Sequence, residues 1–237
     1  MPADPFDALT DLFLGELSPQ HARAPREPSP TLRPGASRAG AGHREGSAPA
    51  PVERLILGHL PVMAGAWLSQ YARAAADGLG KPVALARPEA GQRRVEVFEP
   101  AGAARRPIPH AGTYEEAVRV ASAVCGVLLI AGEDPGTRPD RCTLLTSGDE
   151  AGIVASYQLL KSMGAALNGA PVGACIAGAT GEPALRAHRR LAEAANNFLG
   201  MPLEQRPPLA RIESSRASVC LYDERTADEP QPMPSQP

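Results

Sequence analysis

Leu55-Ile-Leu-Gly-His-Leu-Pro-Val-Met-Ala-Gly-Ala-Trp67 decides how this chain is read. The aliphatic run at Leu55 belongs to a buried strand, Gly58 and Pro61 interrupt it, and Ala64 to Trp67 opens a segment with helical spacing. Strand, turn and helix start in immediate succession are the opening of a βα unit. Outward from it the alternation continues. The pattern predicts a strand at Arg54–His59 and a helix at Met63–Gly78, then a strand at Pro82–Arg87 and an extra extended piece at Arg93–Glu99. A helix at Thr113–Val124 leads into the very apolar strand Gly126–Ala131. A strand at Arg141–Thr146 precedes a helix from Asp149 to about Leu167, and Val172–Ala177, Glu182–Leu199 and Ala217–Tyr222 complete the series as strand, helix and strand. Near-continuous apolar strands are those covered on both faces, so the expected fold is α/β: a doubly wound, mostly parallel sheet with helices on both faces.

Composition bounds the rest. A chain of 237 residues with 43% hydrophobic residues buries one proper core rather than two large ones. A net charge of −2 and a pI near 6.2 leave no cationic surplus for sequence-independent nucleic-acid binding, so no nucleic acid is expected as partner. Cys125, Cys142, Cys175 and Cys220 are far apart and sit in or beside apolar strands; they read as buried free thiols in a reducing cytoplasm. Met1 to Leu17 is acidic where a signal peptide is basic, and no apolar stretch approaches the ~18 residues of a membrane span. A cytoplasmic protein without a membrane role is expected.

Two arms flank the α/β region, which is expected over residues 52–223. In residues 1–17, Phe6, Leu9, Phe13 and Leu17 fall at helical spacing, with Asp7, Asp11 and Glu16 for the opposite face. Such a short amphipathic helix needs something to lie against. Residues 18–51 are Pro, Ala, Gly, Arg and Ser with hardly an aliphatic side chain except Leu32, the composition of a flexible linker. A sticky helix on a tether is the layout of a docking motif, so Phe6, Leu9, Phe13 and Leu17 are the candidate contacts for a protein partner; the competing reading folds the helix back onto its own domain. Residues 224–237, acidic and Pro-rich, read as a disordered tail.

Ligands of a doubly wound sheet bind beyond the carboxyl ends of the strands. There, at the Leu55–Trp67 turn, the chain resembles the ParA/MinD/FlhG family of P-loop NTPase-like proteins, whose phosphate loop has the deviant Walker form G-K-G-G-x-G-K-T-T. Laid on that pattern, Gly58 keeps the first glycine, His59 replaces the signature lysine, and Leu60 and Pro61 replace the glycine pair. Met63 stands at the next glycine, Ala64 at the phosphate-binding lysine and Gly65 at the magnesium-binding threonine. The resemblance continues in order. Val83-Ala-Leu-Ala-Arg-Pro-Glu-Ala-Gly91 has the outline of the family's D-x-D-like stretch with only Glu89 as carboxylate. Leu128-Leu-Ile-Ala-Gly-Glu-Asp-Pro-Gly136 puts Ala131 at the aspartate of L-I-D-T-x-A-G. Leu145-Thr-Ser-Gly-Asp-Glu-Ala-Gly-Ile-Val-Ala-Ser-Tyr-Gln-Leu-Leu-Lys161 follows T-x-P-E-x-x-x-x-x-x-A-Y-x-L-I-K closely. Val172 to Thr180 and the helix ending Asn197-Phe-Leu-Gly-Met-Pro-Leu203 match the unit after it.

The resemblance implies a degenerate member. Without the phosphate lysine, the metal threonine and the metal-organising aspartate, phosphoryl transfer has neither charge neutralisation nor metal. The expectation is a pseudo-ATPase acting as adaptor or scaffold, with no catalytic residue, no metal and no required cofactor. ATP remains a candidate ligand through the residual loop, Gly58, His59, Ala64 and Gly65, because a helix amino terminus attracts anions by itself; a nucleotide-dependent switch is therefore the alternative. Active relatives dimerise across ATP, which leaves a homodimer open here. A second alternative is a small α/β enzyme using Glu133, Asp134, Asp149 and Glu150, although Asp149 and Glu150 also suit the first turn of a helix. His188, among Arg186, Arg189 and Arg190, reads as a solvated basic face or a surface for an acidic partner.

Overall fold

The computed structural model describes residues 49–61, 64–89, 92–104, 107–108, 110–132, 137–164, 166–167, 169–213 and 218–227. The segment carrying Phe6, Leu9, Phe13 and Leu17, the linker up to 48, Met63, the Glu133–Asp134 loop and the tail from 228 lie outside the described residues. The elements in chain order are β1 (Val52–Leu57), α1 (Ala64–Leu79), β2 (Val83–Arg87), β3 (Arg94–Phe98), α2 (Tyr114–Val124), β4 (Val127–Ala131), β5 (Arg141–Ser147), α3 (Glu150–Met163), β6 (Val172–Ala177), α4 (Gly181–Leu199), β7 (Leu203–Gln205), β8 (Val219–Asp223) and α5 (Glu224–Ala227).

The strands form one 8-stranded sheet in the order β7-β6-β5-β1-β4-β2-β3-β8. β3 runs antiparallel to both β2 and β8, and every other pairing is parallel. The chain leaves β1 toward β2, returns to place β4 between them, then crosses to β5 on the other side of β1. The direction of winding thus reverses at β1, and a ligand crevice is expected beside its carboxyl end.

Side-chain alternation divides the core. Trp67, Leu68, Tyr71, Ala72 and Ala76 of α1 pack on Leu55, Leu85, Leu129 and Leu145, with Leu209 of the segment after β7 extending that cover over Cys175 and Ala177. The opposite face takes α2, whose Tyr114, Ala117 and Ala121 meet Ala84, Ala86, Leu128 and Ile130. α3 and α4 share that second face: Ser156 of α3 bonds Thr146, and a β-carbon at Gly148 would meet both Ile176 and Ala187 of α4, where Thr146 and Ile176 alternate with the strand residues under α1. Helices cover both faces of a mostly parallel sheet. At about 1.5–3 kcal/mol for each large apolar side chain fully buried, Leu55, Leu129 and Leu145, each at most 1% exposed, anchor the centre.

Local signals explain the ends. Thr113 caps α2 by accepting from Glu116 N at 3.1 Å, while Glu116 reaches back to Gly112 N at 2.9 Å, a reciprocal cap. Asp149 caps α3 by accepting from Gly152 N at 2.6 Å, and Gly200 ends α4 at φ 64°, in the left-handed region. Two expected boundaries move. β1 begins at Val52, whose N–H is held by Asp140 Oδ2 at 2.7 Å, and ends at Leu57. α3 stops at Met163, short of Leu167, because a turn at Gly164 brings Leu167 back into the core at 3% exposure. All four cysteines are free; Cys125, Cys142 and Cys175 are buried and Cys220 is half-buried. Among the described residues no helix is long and apolar enough to cross a membrane.

Candidate functional site

β1, β2 and β4 end side by side beneath the start of α1, and a cleft of about 280 Å³ opens between them. Its inner side is apolar: Leu57, Leu68 and Ala131, with Ala64 and Gly65 of the first turn of α1 above. Its polar lining comes from Arg87 at the end of β2, Glu89 and Gln92 in the β2–β3 connection, Arg94 at the start of β3, Asp223 at the end of β8 and Arg225 of α5. Ala64, Gly65 and Ala131, the positions the resemblance matches to the lysine, threonine and aspartate, therefore meet in one cavity. None supplies a functional side chain.

Gly58 and His59 do not line this cleft. A β-carbon on Gly58 would stand 2.7 Å from Ser156 Oγ and 3.1 Å from both the Leu145 carbonyl and Thr146 Cβ, so that glycine serves close packing against β5 and α3. The His59 side chain is exposed, while its carbonyl accepts from Ser147 N at 2.8 Å and from Thr146 Oγ1 at 3.3 Å. Gly58 N donates to the Leu145 carbonyl at 2.8 Å. The turn is fastened further on, where Trp67 Nε1 donates to the Pro61 carbonyl at 2.9 Å and Leu60 packs onto the α1-side core. Beneath it, Ser156 Oγ donates to Thr146 Oγ1 at 2.7 Å and Ser147 Oγ to Asp149 Oδ1 at 3.1 Å. Backbone, hydroxyl and indole groups thus hold the described part of the turn, residues 58–61, from within the protein. Asp149 is occupied as a helix cap, and no group of His, Cys, Asp and Glu able to hold a metal occurs among the described residues.

The arginine side of the cleft is organised by Glu96, whose side chain is 8% exposed. Its Oε2 pairs with Arg87 at 3.3 Å, and its Oε1 pairs with Arg94 at 3.2 Å and accepts from Ser218 Oγ at 2.7 Å. Arg87 also donates to Ser69 Oγ of α1 at 3.2 Å. Arg94 Nε lies 3.6 Å from Asp223 Oδ2, and Asp223 Oδ1 accepts from Arg225 N at 3.1 Å. The Nε groups of Arg87 and Arg94 are nevertheless buried without a hydrogen-bond partner. The sequence reading missed this wall. Arg93 and Glu224, 131 positions apart, are joined by backbone and side-chain bonds that bring α5 to the β2–β3 hairpin. The available signal was the alternation of Arg94, Glu96 and Phe98, which puts two charges on one strand face.

Elsewhere the ionisable groups are structural. At the amino edge, Glu53 accepts from Tyr71 Oη at 2.6 Å and pairs with Arg141 at 3.1 Å; burial, then the Glu53 charge, push the Tyr71 phenol above its usual range. Burial pushes the Cys125 and Cys175 thiols up to about 12, so neither supplies a thiolate near neutrality. His188 is half-buried, not fully solvated. It sits in a groove between α4 and β7 with Arg189, Glu193 and Asn196, and burial holds it below its usual value. No protein-family model matches the chain, and no curated protein matches it.

Proposed function

We propose that the α/β domain is a ParA/MinD-like pseudo-ATPase, a cytoplasmic adaptor or scaffold that binds a protein partner instead of turning over nucleotide. The observation that carries this reading is the meeting of Ala64, Gly65 and Ala131 in one cleft at the end of β1. Those are the positions that the resemblance matches to a phosphate loop and its metal-organising aspartate, and they offer no cation for phosphate, no hydroxyl for magnesium and no carboxylate to organise it. The turn's own bonds argue in the same direction. Pro61 has no N–H to give a phosphate, and its carbonyl is engaged by Trp67. Partner binding is assigned to the amphipathic segment with Phe6, Leu9, Phe13 and Leu17, on the charge and apolar patterning of its sequence.

The test compares partner capture by the full chain with capture by a Phe6→Asp, Phe13→Asp double variant, alongside thermal unfolding of both. The reading expects capture to be lost while the unfolding midpoint stays. Undiminished capture removes the docking role from this segment.

A further inference from the structure

The cleft at the end of β1 has a charged wall that is already matched and an apolar floor that is not covered. Arg87 and Arg94 are paired with Glu96 and Asp223, so charge does not choose an occupant. Leu57 differs. It ends a central strand, yet it is 37% exposed, and with Leu68 and Ala131 it lines an open space of about 280 Å³. Covering such a side chain with another apolar group removes both surfaces from water and is favourable.

What lies within reach of that floor follows from the course of the chain. β8 and α5 run along the cleft, with Asp223 and Arg225 in its lining. Glu224 is fixed beside them: its N–H donates to the Arg93 carbonyl at 2.9 Å, and its side chain accepts from Arg93 N at 2.9 Å. Residues 228–237 therefore set out from the mouth of the cleft. They read Asp-Glu-Pro-Gln-Pro-Met-Pro-Ser-Gln-Pro, and Met233 is the one large apolar side chain among them. Six residues separate it from Ala227, a reach of roughly 19 Å at the ~3.1 Å per residue of a polyproline helix. That suffices to carry it from the rim to Leu57, since Arg225 and Leu57 line the same cavity. Pro232 and Pro234 flank Met233, restrict the backbone before docking and bring no N–H that the cleft would have to satisfy. Methionine, unbranched and polarisable, fills irregular apolar gaps.

We propose that the segment around Met233 folds back into the cleft of its own domain, seats Met233 on Leu57, Leu68 and Ala131, and closes that cleft to other occupants until it is displaced. The inference rests on the non-catalytic reading, because a cleft that turns over no nucleotide can be kept shut by its own chain.

The experiment is NMR of the full chain with labelled Met, Leu and Ala methyl groups. The expected result is nuclear Overhauser contacts from the Met233 methyl to those of Leu57 and Ala131. Met233→Asp should erase these contacts and shift the Leu57 and Ala131 methyl resonances, and because the change lies outside the α/β region, folding is not at stake. A Met233 methyl that resonates as in a synthetic peptide of residues 228–237 and touches neither side chain overturns the proposal. Contact with a different surface overturns it too, as does contact seen only between differently labelled copies, which makes the occupant a second chain. The non-catalytic reading fails by a different sign. If ATP with Mg²⁺ raises the unfolding midpoint of Met233→Asp above that with ATP alone, that reading falls, whatever the methyl contacts show.

Discussion

The two flanks of β1's carboxyl end are built on opposite principles. Toward β5, Gly58, Thr146, Ser147 and Ser156 are in close contact, and each polar group finds a partner inside the protein. Toward β2 and β3, α1 and the arginines stand around an open cleft of about 280 Å³, with Glu96 and Asp223 paired to the arginines. The closed flank spends its polar groups on holding the β1–α1 turn, and the open flank spends its charges on tying β2, β3 and β8 together. The first kind of network reports on how the turn is held, the second on how distant strands are joined.

Substitutions of the two glycines separate these flanks most strongly. Gly58→Val on the closed flank should cost about 3 kcal/mol in denaturant unfolding, since the Leu145 carbonyl and the Ser156 hydroxyl leave no room for the added carbons. A cost below about 0.5 kcal/mol would mean that the turn is not packed as described. Thr146→Val comes next, at about 2 kcal/mol, because it strands the Ser156 hydroxyl in a buried site. Gly65→Ala on the open flank should do the reverse, changing stability by no more than about 0.5 kcal/mol and in the stabilising direction. The β-carbon meets nothing and restricts the unfolded chain.

The smallest effect concerns pH and the far edge of the sheet. Burial lowers the pKa of His188 from 6.5, a shift that the Glu204 carbonyl opposes. The unfolded chain then takes up its proton first as pH falls, so the unfolded state binds more protons and stability declines below pH 6.5. His188→Gln should flatten that slope in unfolding curves run between about pH 5 and 7. An identical slope in the variant assigns the decline to other groups.

Much of this architecture was legible because its signals are local. The apolar runs of β4 and β6, both buried along their whole length, and the cap residues Thr113 and Asp149 announce their elements without reference to anything distant. β7 was missed: it is three residues long, flanked by Pro202 and Pro207, and owes its strand pairing to Val172, Gly173 and Ala174 of β6. The direction of β3 was equally hidden, since Arg94–Phe98 shows an extended segment but only pairing with β2 and β8 makes it antiparallel. The site divided in the same way. Ala64 and Gly65 were found through the turn that carries them, while Arg87, Arg94 and Arg225 form a wall only after β8 closes on β3. Glu96 was read only as part of an extended piece, and its burial and its pairing with both arginines appear in the folded chain alone. Gly58 was placed at a ligand by motif position, whereas its neighbours in space are Ser156 and Thr146.

Whether the cleft supports metal-dependent nucleotide binding is tested directly by one titration: thermal unfolding of the full chain at fixed ATP, with Mg²⁺ raised from zero at constant ionic strength. The midpoint should not rise with Mg²⁺; any stabilisation that ATP gives as an anion should weaken as Mg²⁺ chelates its phosphates. A midpoint that climbs with Mg²⁺ would contradict the non-catalytic reading and make the protein a nucleotide switch built on an unconventional loop.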